Sequence, residues 1–272
     1  MRVCIMTDLE GVARVMNAPD WIYPNSRYYE DGKKLLTEEI NAAVDGFCAA
    51  GAEKIVVQDG HGHGAVNSLL LDERAELQRG WGLHPYPFGV DQGFDCIAWV
   101  GQHPKAGTLF GHICHTGNFG VLDLSINGIS VGEFGECGFC ALEYGVVPIF
   151  GSGCLAFTRE AEALFPGIGT VAVKRGLMEE AGDACTEEQY EHWNAGAIHL
   201  SHPKACRLIR DGAYAALTRF REKPESFCRD FPAPPYTLAC RFRAGRNRPE
   251  PITLYKEHPT SITALLNSAY HA

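Results

Sequence analysis

No apolar stretch of the 272-residue sequence approaches the roughly 20 residues that span a bilayer, so a membrane-embedded protein is not expected. The opening residues MRVCIMTDLEG lack the small-residue cleavage site of a secretory leader and run at once into an acidic pair, so they read as a first strand. Basic charge is scarce. Lys and Arg number 24 against 33 Asp and Glu, a net charge of −9, and no basic cluster appears. That balance excludes a general nucleic-acid or anionic-membrane partner and leaves small molecules or proteins. Low-complexity runs and solenoid repeats are missing as well. So are the dinucleotide fingerprint and the Lys-Ser/Thr phosphate loop, which removes the usual nucleotide enzymes. Cysteine is present but not framed for disulfides: the 11 residues are an odd set scattered from Cys4 to Cys240. Reduced thiols in a cytoplasmic protein are the expectation.

What is present is a globular composition, 46% hydrophobic and 21% charged, arranged as alternating strands and helices. Residues 2–7 form a β-rich run ending at Asp8, and Leu36, Ile40, Ala43, Val44 and Phe47 share one face of a helix that Gly51 stops. Residues 54–58 are a second apolar strand ending at Asp59-Gly60-His61, and 94–100 a third ending at Gly101-Gln102-His103. Residues 121–132 read as a hairpin turning at Asn127-Gly128 and delivering Glu133 to a helix. A strand at 147–150, a helix at 158–165 closed by Pro166 and a strand at 170–174 continue the pattern. The expected fold class is α/β, a three-layer sandwich around a mainly parallel sheet, with a smaller α+β C-terminal domain. Its boundaries are 1–190 for the catalytic part and 191–272 for the smaller one. The latter would hold a helix at 202–220, a break at 232–235, a strand at 236–243 and a terminal helix at 261–270.

Ligands in parallel α/β sheets bind at the carboxyl ends of the strands, which is where the chemistry-bearing residues fall. Asp8 and Glu10 alternate at the first strand end, and His61, His63, His84, His103, His112 and His115 crowd one segment. Imidazole and carboxylate together are the usual zinc set, and a dinuclear site needs roughly five or six protein ligands. Asp8, Glu10, His61, His103 and Glu133 supply that number. An Asp-x-Glu turn or a Gly-His-Gly-His-Gly loop alone is more often a solvated turn or a flexible loop. The placement of each after a buried strand favours a site.

The order of these motifs resembles the zinc-dependent D-aminopeptidases of the DppA type. The resemblance runs through Thr7-Asp8-Leu9-Glu10-Gly11, Thr37-Glu38-Glu39 with Asn41, Asp59-Gly60-His61 and Gly101-Gln102-His103. It continues through His115-Thr116, Phe119-Gly120, and Asn127 ahead of Gly132-Glu133-Phe134-Gly135. It implies two zinc ions per chain on Asp8, Glu10, His61, His103 and Glu133, with the aspartate shared, and His115 as the catalytic residue. His115 would protonate the leaving amine, a nucleophilic role being the rival. Also implied are hydrolysis of N-terminal amide bonds in short peptides with D-residues and a ring-like homo-oligomer, a decameric ring being one form. Two departures bear on substrate choice: Cys137 stands where the family commonly has Asn, and Ser152-Gly153 where it has an acidic pair. Another metal-dependent amidase and a non-catalytic, metal-stabilised peptide-binding protein are the alternative readings.

Several neighbours have plainer readings. His63 and His112 are expected to be polar loop residues, and Asp59 to orient His61 or cap a turn. Cys137-Gly138-Phe139-Cys140 has redox spacing, but at the start of a helix among core-like residues it reads as buried thiol. Cys114, between His112 and His115, is disfavoured as a nucleophile because strand neighbours face opposite ways. Lys174-Arg175 could hold a substrate carboxylate or form a solvated strand end.

Overall fold

In the computed structural model, which describes residues 1–271, the chain forms eleven strands and seven helices. In order they are β1 (Arg2–Thr7), α1 (Ala18–Trp21), α2 (Tyr29–Ala49), β2 (Lys54–Asp59), β3 (Ala75–Gln78), β4 (Cys96–Gln102), β5 (Val121–Ile126), β6 (Ile129–Ser130) and α3 (Glu133–Glu143). There follow β7 (Val147–Cys154), α4 (Leu155–Leu164), β8 (Gly169–Gly176), α5 (Glu187–Trp193), β9 (Ala197–His199), α6 (His202–Glu222), β10 (Tyr236–Phe242), β11 (Ile252–His258) and α7 (Ile262–Asn267).

Seven strands make the central sheet in the order β3-β2-β1-β4-β7-β8-β9, parallel throughout except for β9 at one edge. Alternation along β1 shows why both faces are covered: Val3 and Ile5 enter one core, Cys4 and Met6 the other. The first core is closed by α2 and α6, through Leu36, Ile40, Phe47, Ile209, Ala213 and Leu217. These helices cross closely at Gly46, where an added Cβ would lie 2.2 Å from the Arg210 carbonyl oxygen. On the other face lie α3, α4, α7 and a second, antiparallel sheet ordered β11-β10-β5-β6. Phe134 anchors that core, 4.6 Å from the Trp99 ring and 5.0 Å from Phe157 between centroids.

The α/β class and its mainly parallel sheet are as the periodicity predicts. The two sheets do not divide the chain at residue 190, because β5 and β6 pair with β10, and α6 packs against α2 on the main sheet. The terminal helix is shorter than expected: it covers Ile262–Asn267, with the Ser261 side chain accepting from the Ala264 amide at its start. The acidic stretch 178–195 contains α5, whose Thr186 and Gln189 exchange side-chain bonds with each other's backbone.

Strand order fixes the functional crevice. The chain travels outward from β1 to β2 and β3, then returns to place β4 on the opposite side of β1, so the sheet changes direction between β1 and β4. There the Asp8 amide donates to the Val100 carbonyl at 3.0 Å and the Gly11 amide to Gly101 at 2.7 Å. Gly101 has φ +79, and an added Cβ would stand 2.1 Å from the Asp8 carbonyl oxygen. Gly101→Ala is therefore expected to cost about 3 kcal/mol, by combined backbone strain and overpacking. A lowered denaturant midpoint at unchanged m-value would show it, and a midpoint equal to the parent would refute it.

Candidate metal centre

Four segments deliver the cluster. Asp8 and Glu10 leave the end of β1, His61 follows β2, His103 follows β4, and Glu133 opens α3 after the β5–β6 hairpin. The His61 Nδ1 lies 3.2 Å from both Asp8 Oδ1 and Glu10 Oε2. The His103 Nε2 lies 3.1 Å from Asp8 Oδ2 and 3.5 Å from Glu133 Oε2. His115 stacks on His103 with centroids 4.0 Å apart and planes 13° from parallel, its Nε2 3.7 Å from Glu133 Oε1. All six residues proposed for the site thus share one crevice, and Asp8 stands between the two imidazoles.

The backbone decides which ring nitrogen faces inward. His61 Nε2 bonds the Ile22 carbonyl at 2.8 Å, His103 Nδ1 the Pro104 carbonyl at 2.9 Å, and His115 Nδ1 the Ile113 carbonyl at 3.0 Å. A carbonyl only accepts, so each of these nitrogens carries the proton, and in the neutral ring the other has a free lone pair turned toward the carboxylates. His103 Nε2 is buried without an aligned hydrogen-bond partner despite its carboxylate neighbours. Two overlapping sets, His103/His115/Glu133 and Asp8/Glu10/His103, each bring ligand atoms within 4.8 Å of one another. Converging lone pairs and carboxylates are the donor chemistry of zinc, so the residues present fit that ion.

The charges respond to this crowding. Burial alone would raise the Asp8 carboxyl, but the His103 and His61 rings outweigh it and hold the group well below the usual carboxylate range. Burial would lower His61 and His103; the carboxylates of Glu10 and Asp8 for the first, and of Glu133 and Asp8 for the second, raise both well above an ordinary imidazole. His115 goes the other way, lowered by burial and by the neighbouring His103.

Supporting contacts hold the crevice. Gln102 Nε2 donates to Asp8 Oδ2 at 3.2 Å, and the Gly117 amide to Glu133 Oε1 at 2.6 Å. Asp59 does not touch the His61 ring; its carboxylate accepts the Ala65 amide at 2.9 Å and closes the loop that carries His61. Arg79, which no sequence motif marks, braces that loop by donating to the Asp59 and His61 carbonyls, both at 2.6 Å, and to Gly62 at 2.7 Å. Lys174 is neither a solvated strand end nor a carboxylate receptor. It is buried, donates to the Glu10 and Val15 carbonyls, and so ties down the segment after β1. Burial lowers its pKa to about 8. His112 is bonded to the Met16 and Ala195 carbonyls away from the cluster, whereas His63 lies on the cavity rim. Cys114, Cys137 and Cys140 are buried, and burial pushes each thiol well above its normal range.

The cluster opens into a cavity of about 350 Å³, walled by Tyr86, Phe88, Trp99, Phe119, Glu136 and Cys137. That volume suits a small ligand. Tyr86, Phe88 and Glu136 were not among the residues singled out by sequence, because no motif joins a loop residue to a helix 50 positions later.

Fold and site together define an α/β protein with a carboxylate and imidazole centre at a topological switch point. Residues 1–247 match the family of M55 peptidases, described as D-aminopeptidase. A D-aminopeptidase of Bacillus subtilis (strain 168) is 30% identical over 232 residues, spanning 82% of this chain and 77% of that protein. The chain therefore belongs to the D-aminopeptidase family. A solved structure described as the Zn-dependent D-aminopeptidase DppA from Bacillus subtilis, a self-compartmentalizing protease, superposes with a TM-score of 0.81 at 22% identity. The match covers 98% of this chain and 95% of that one, and it supports the fold.

Because the crowding carboxylates raise His61 and His103 well above an ordinary imidazole, metal uptake competes with protons for these rings. Zinc titrated into chelator-treated protein is expected to release protons at neutral pH, and its apparent affinity to rise with pH. Calorimetry in buffers of different ionisation enthalpy reads this directly; zero proton release would contradict the assigned imidazole states.

Proposed function

We propose that the protein is a dinuclear zinc aminopeptidase that hydrolyses the N-terminal amide bond of short peptides bearing D-residues. The observation that carries this reading is the set of three imidazoles, each fixed by a backbone carbonyl so that its free nitrogen meets carboxylates at the floor of a peptide-sized cavity. Asp8, Glu10, His61, His103 and Glu133 would hold the two ions, with Asp8 facing both imidazoles. Zinc bound there would supply a water with a pKa near about 7 as nucleophile and would polarise the scissile carbonyl.

The rest is work for the chain. Burial and His103 keep the His115 imidazole neutral at physiological pH, so its Nε2 can accept the proton given up by the attacking water. The Ile113 carbonyl fixes the ring for that transfer, and the resulting imidazolium hands the proton to the leaving amine. Glu133 is partly exposed, its side chain 32% accessible, and borders the cavity where substrate enters. Phe119 packs on His115 at 4.7 Å and limits water on that side. A homo-oligomer, in its fullest form a decameric ring, is also proposed, supported by the description of the solved relative as self-compartmentalizing.

His115→Ala is expected to lower kcat by on the order of 10²–10⁴ while metal content stays at the parental level. Loss of metal along with activity would make His115 a ligand instead. A panel of D- and L-aminoacyl amides and dipeptides, assayed before and after chelation, tests the whole reading. Activity on D-substrates that vanishes on chelation and returns with zinc is expected, and activity indifferent to chelator would overturn it.

A further inference from the structure

One acid in the cavity wall has no task in the chemistry above. Glu136 lies three residues beyond Glu133 on α3, is only 7% exposed and lines the cavity. Among the described residues it forms no ion pair. Lys256, the cation nearest in effect, donates to the Leu266 carbonyl at 2.6 Å, sits 4.4 Å above the Tyr270 ring and does not line the cavity. Around Glu136 the wall is aromatic and sulfur-bearing: Tyr86, Phe88, Trp99, Met6 and Cys137. Tyr86 and Phe88 stand with ring centroids 4.6 Å apart. Burial and the nearby Glu133 push the Glu136 carboxyl up to about 8, against the smaller opposing pulls of Lys256 and of a hydrogen bond with the Tyr86 side chain.

We propose that Glu136 and the aromatic wall of Tyr86, Phe88 and Trp99 form a subsite for the side chain of the substrate's N-terminal residue, selecting one with a primary ammonium on a flexible apolar stem, as in ornithine or lysine. This rests on the aminopeptidase reading of the same cavity. The stem would lie along the rings, and the ammonium would meet the carboxylate with cation–π support from the wall. Position argues for the side chain over the α-ammonium. Three residues along a helix advance about 4.5 Å, whereas the α-nitrogen lies only two bonds from the scissile carbon, next to Glu133.

The test uses the full-length zinc-loaded protein with D-ornithyl, D-lysyl, D-norleucyl and D-alanyl amides. The parent is expected to favour the two basic substrates. E136Q should lower their kcat/KM roughly 10–100-fold, mainly through KM, leave the two neutral ones within about twofold, and keep the parental metal content. E136D should restore part of the loss. If E136Q melts below the parent, E136L serves in its place, with the same expected pattern. Equal losses on all four substrates, or no loss on any, would overturn the proposal. Should the parent cleave none of them, the aminopeptidase reading fails separately. Calorimetric binding of D-lysine amide against D-norleucine amide then decides the subsite: tighter binding of the lysine amide upholds it, and equal affinity sinks it.

Discussion

Everything in this molecule turns on keeping three carboxylates and three imidazoles within a few ångströms of one another, an arrangement that costs free energy unless protons or cations lie among them. Asp8 is the hinge of the arrangement, facing His61 on one side and His103 on the other. The sheet makes that possible. Only at the junction of β1 and β4 do three strand ends and the start of α3 converge, and only there do backbone carbonyls stand ready to receive the outward N–H of each ring. The crowding is stabilised from below by backbone-directed contacts, from Lys174 to the segment after β1 and from Arg79 to the loop after β2. Neither group enters the cavity; each fixes the main chain that carries a ligand.

Two acids of the cavity occupy successive turns of one helix. Glu133, at the first position of α3, joins the cluster of carboxylates and imidazoles, and Glu136 one turn later belongs to the pocket wall. Burial and the stacked His103 lower His115, whereas the carboxylates of Glu133 and Asp8 raise His103. Two rings of identical chemistry thereby acquire different protonation, as expected when carboxylates crowd one face of a stacked pair and not the other.

Much of this was legible in the sequence. Apolar strands ending in polar loops placed Asp8, Glu10, His61 and His103 at the carboxyl edge of a parallel sheet, and the Asn127-Gly128 turn correctly delivered Glu133 to the head of a helix. Local pattern could not show partners that are distant in sequence and marked by no motif. β9 is only three residues long and β11 has mixed burial, so neither carries a period-2 signal long enough to read. Lys174 looked like a solvated strand end or a carboxylate-binding group, whereas it is buried against the segment after β1, whose Glu10 and Val15 carbonyls it reaches. Gly153 is required by space: a Cβ there would lie 1.9 Å from the Gln102 carbonyl oxygen. The Asp59 carboxylate turned out to serve its own loop, because the amides of Ala65 and Val66 reach it before the His61 ring does.

The second sheet joins residues 121–130 to residues 236–258, and α7 then packs on α3. On the ribosome every proposed cation ligand has been synthesised by residue 133, more than 100 residues before the strand that covers β5. A nascent chain can therefore gather its charged cluster while the apolar flank of β5 and α3 still faces water, an aggregation-prone interval that closure by distant strands makes slow to end. Early metal capture would order that half-built edge.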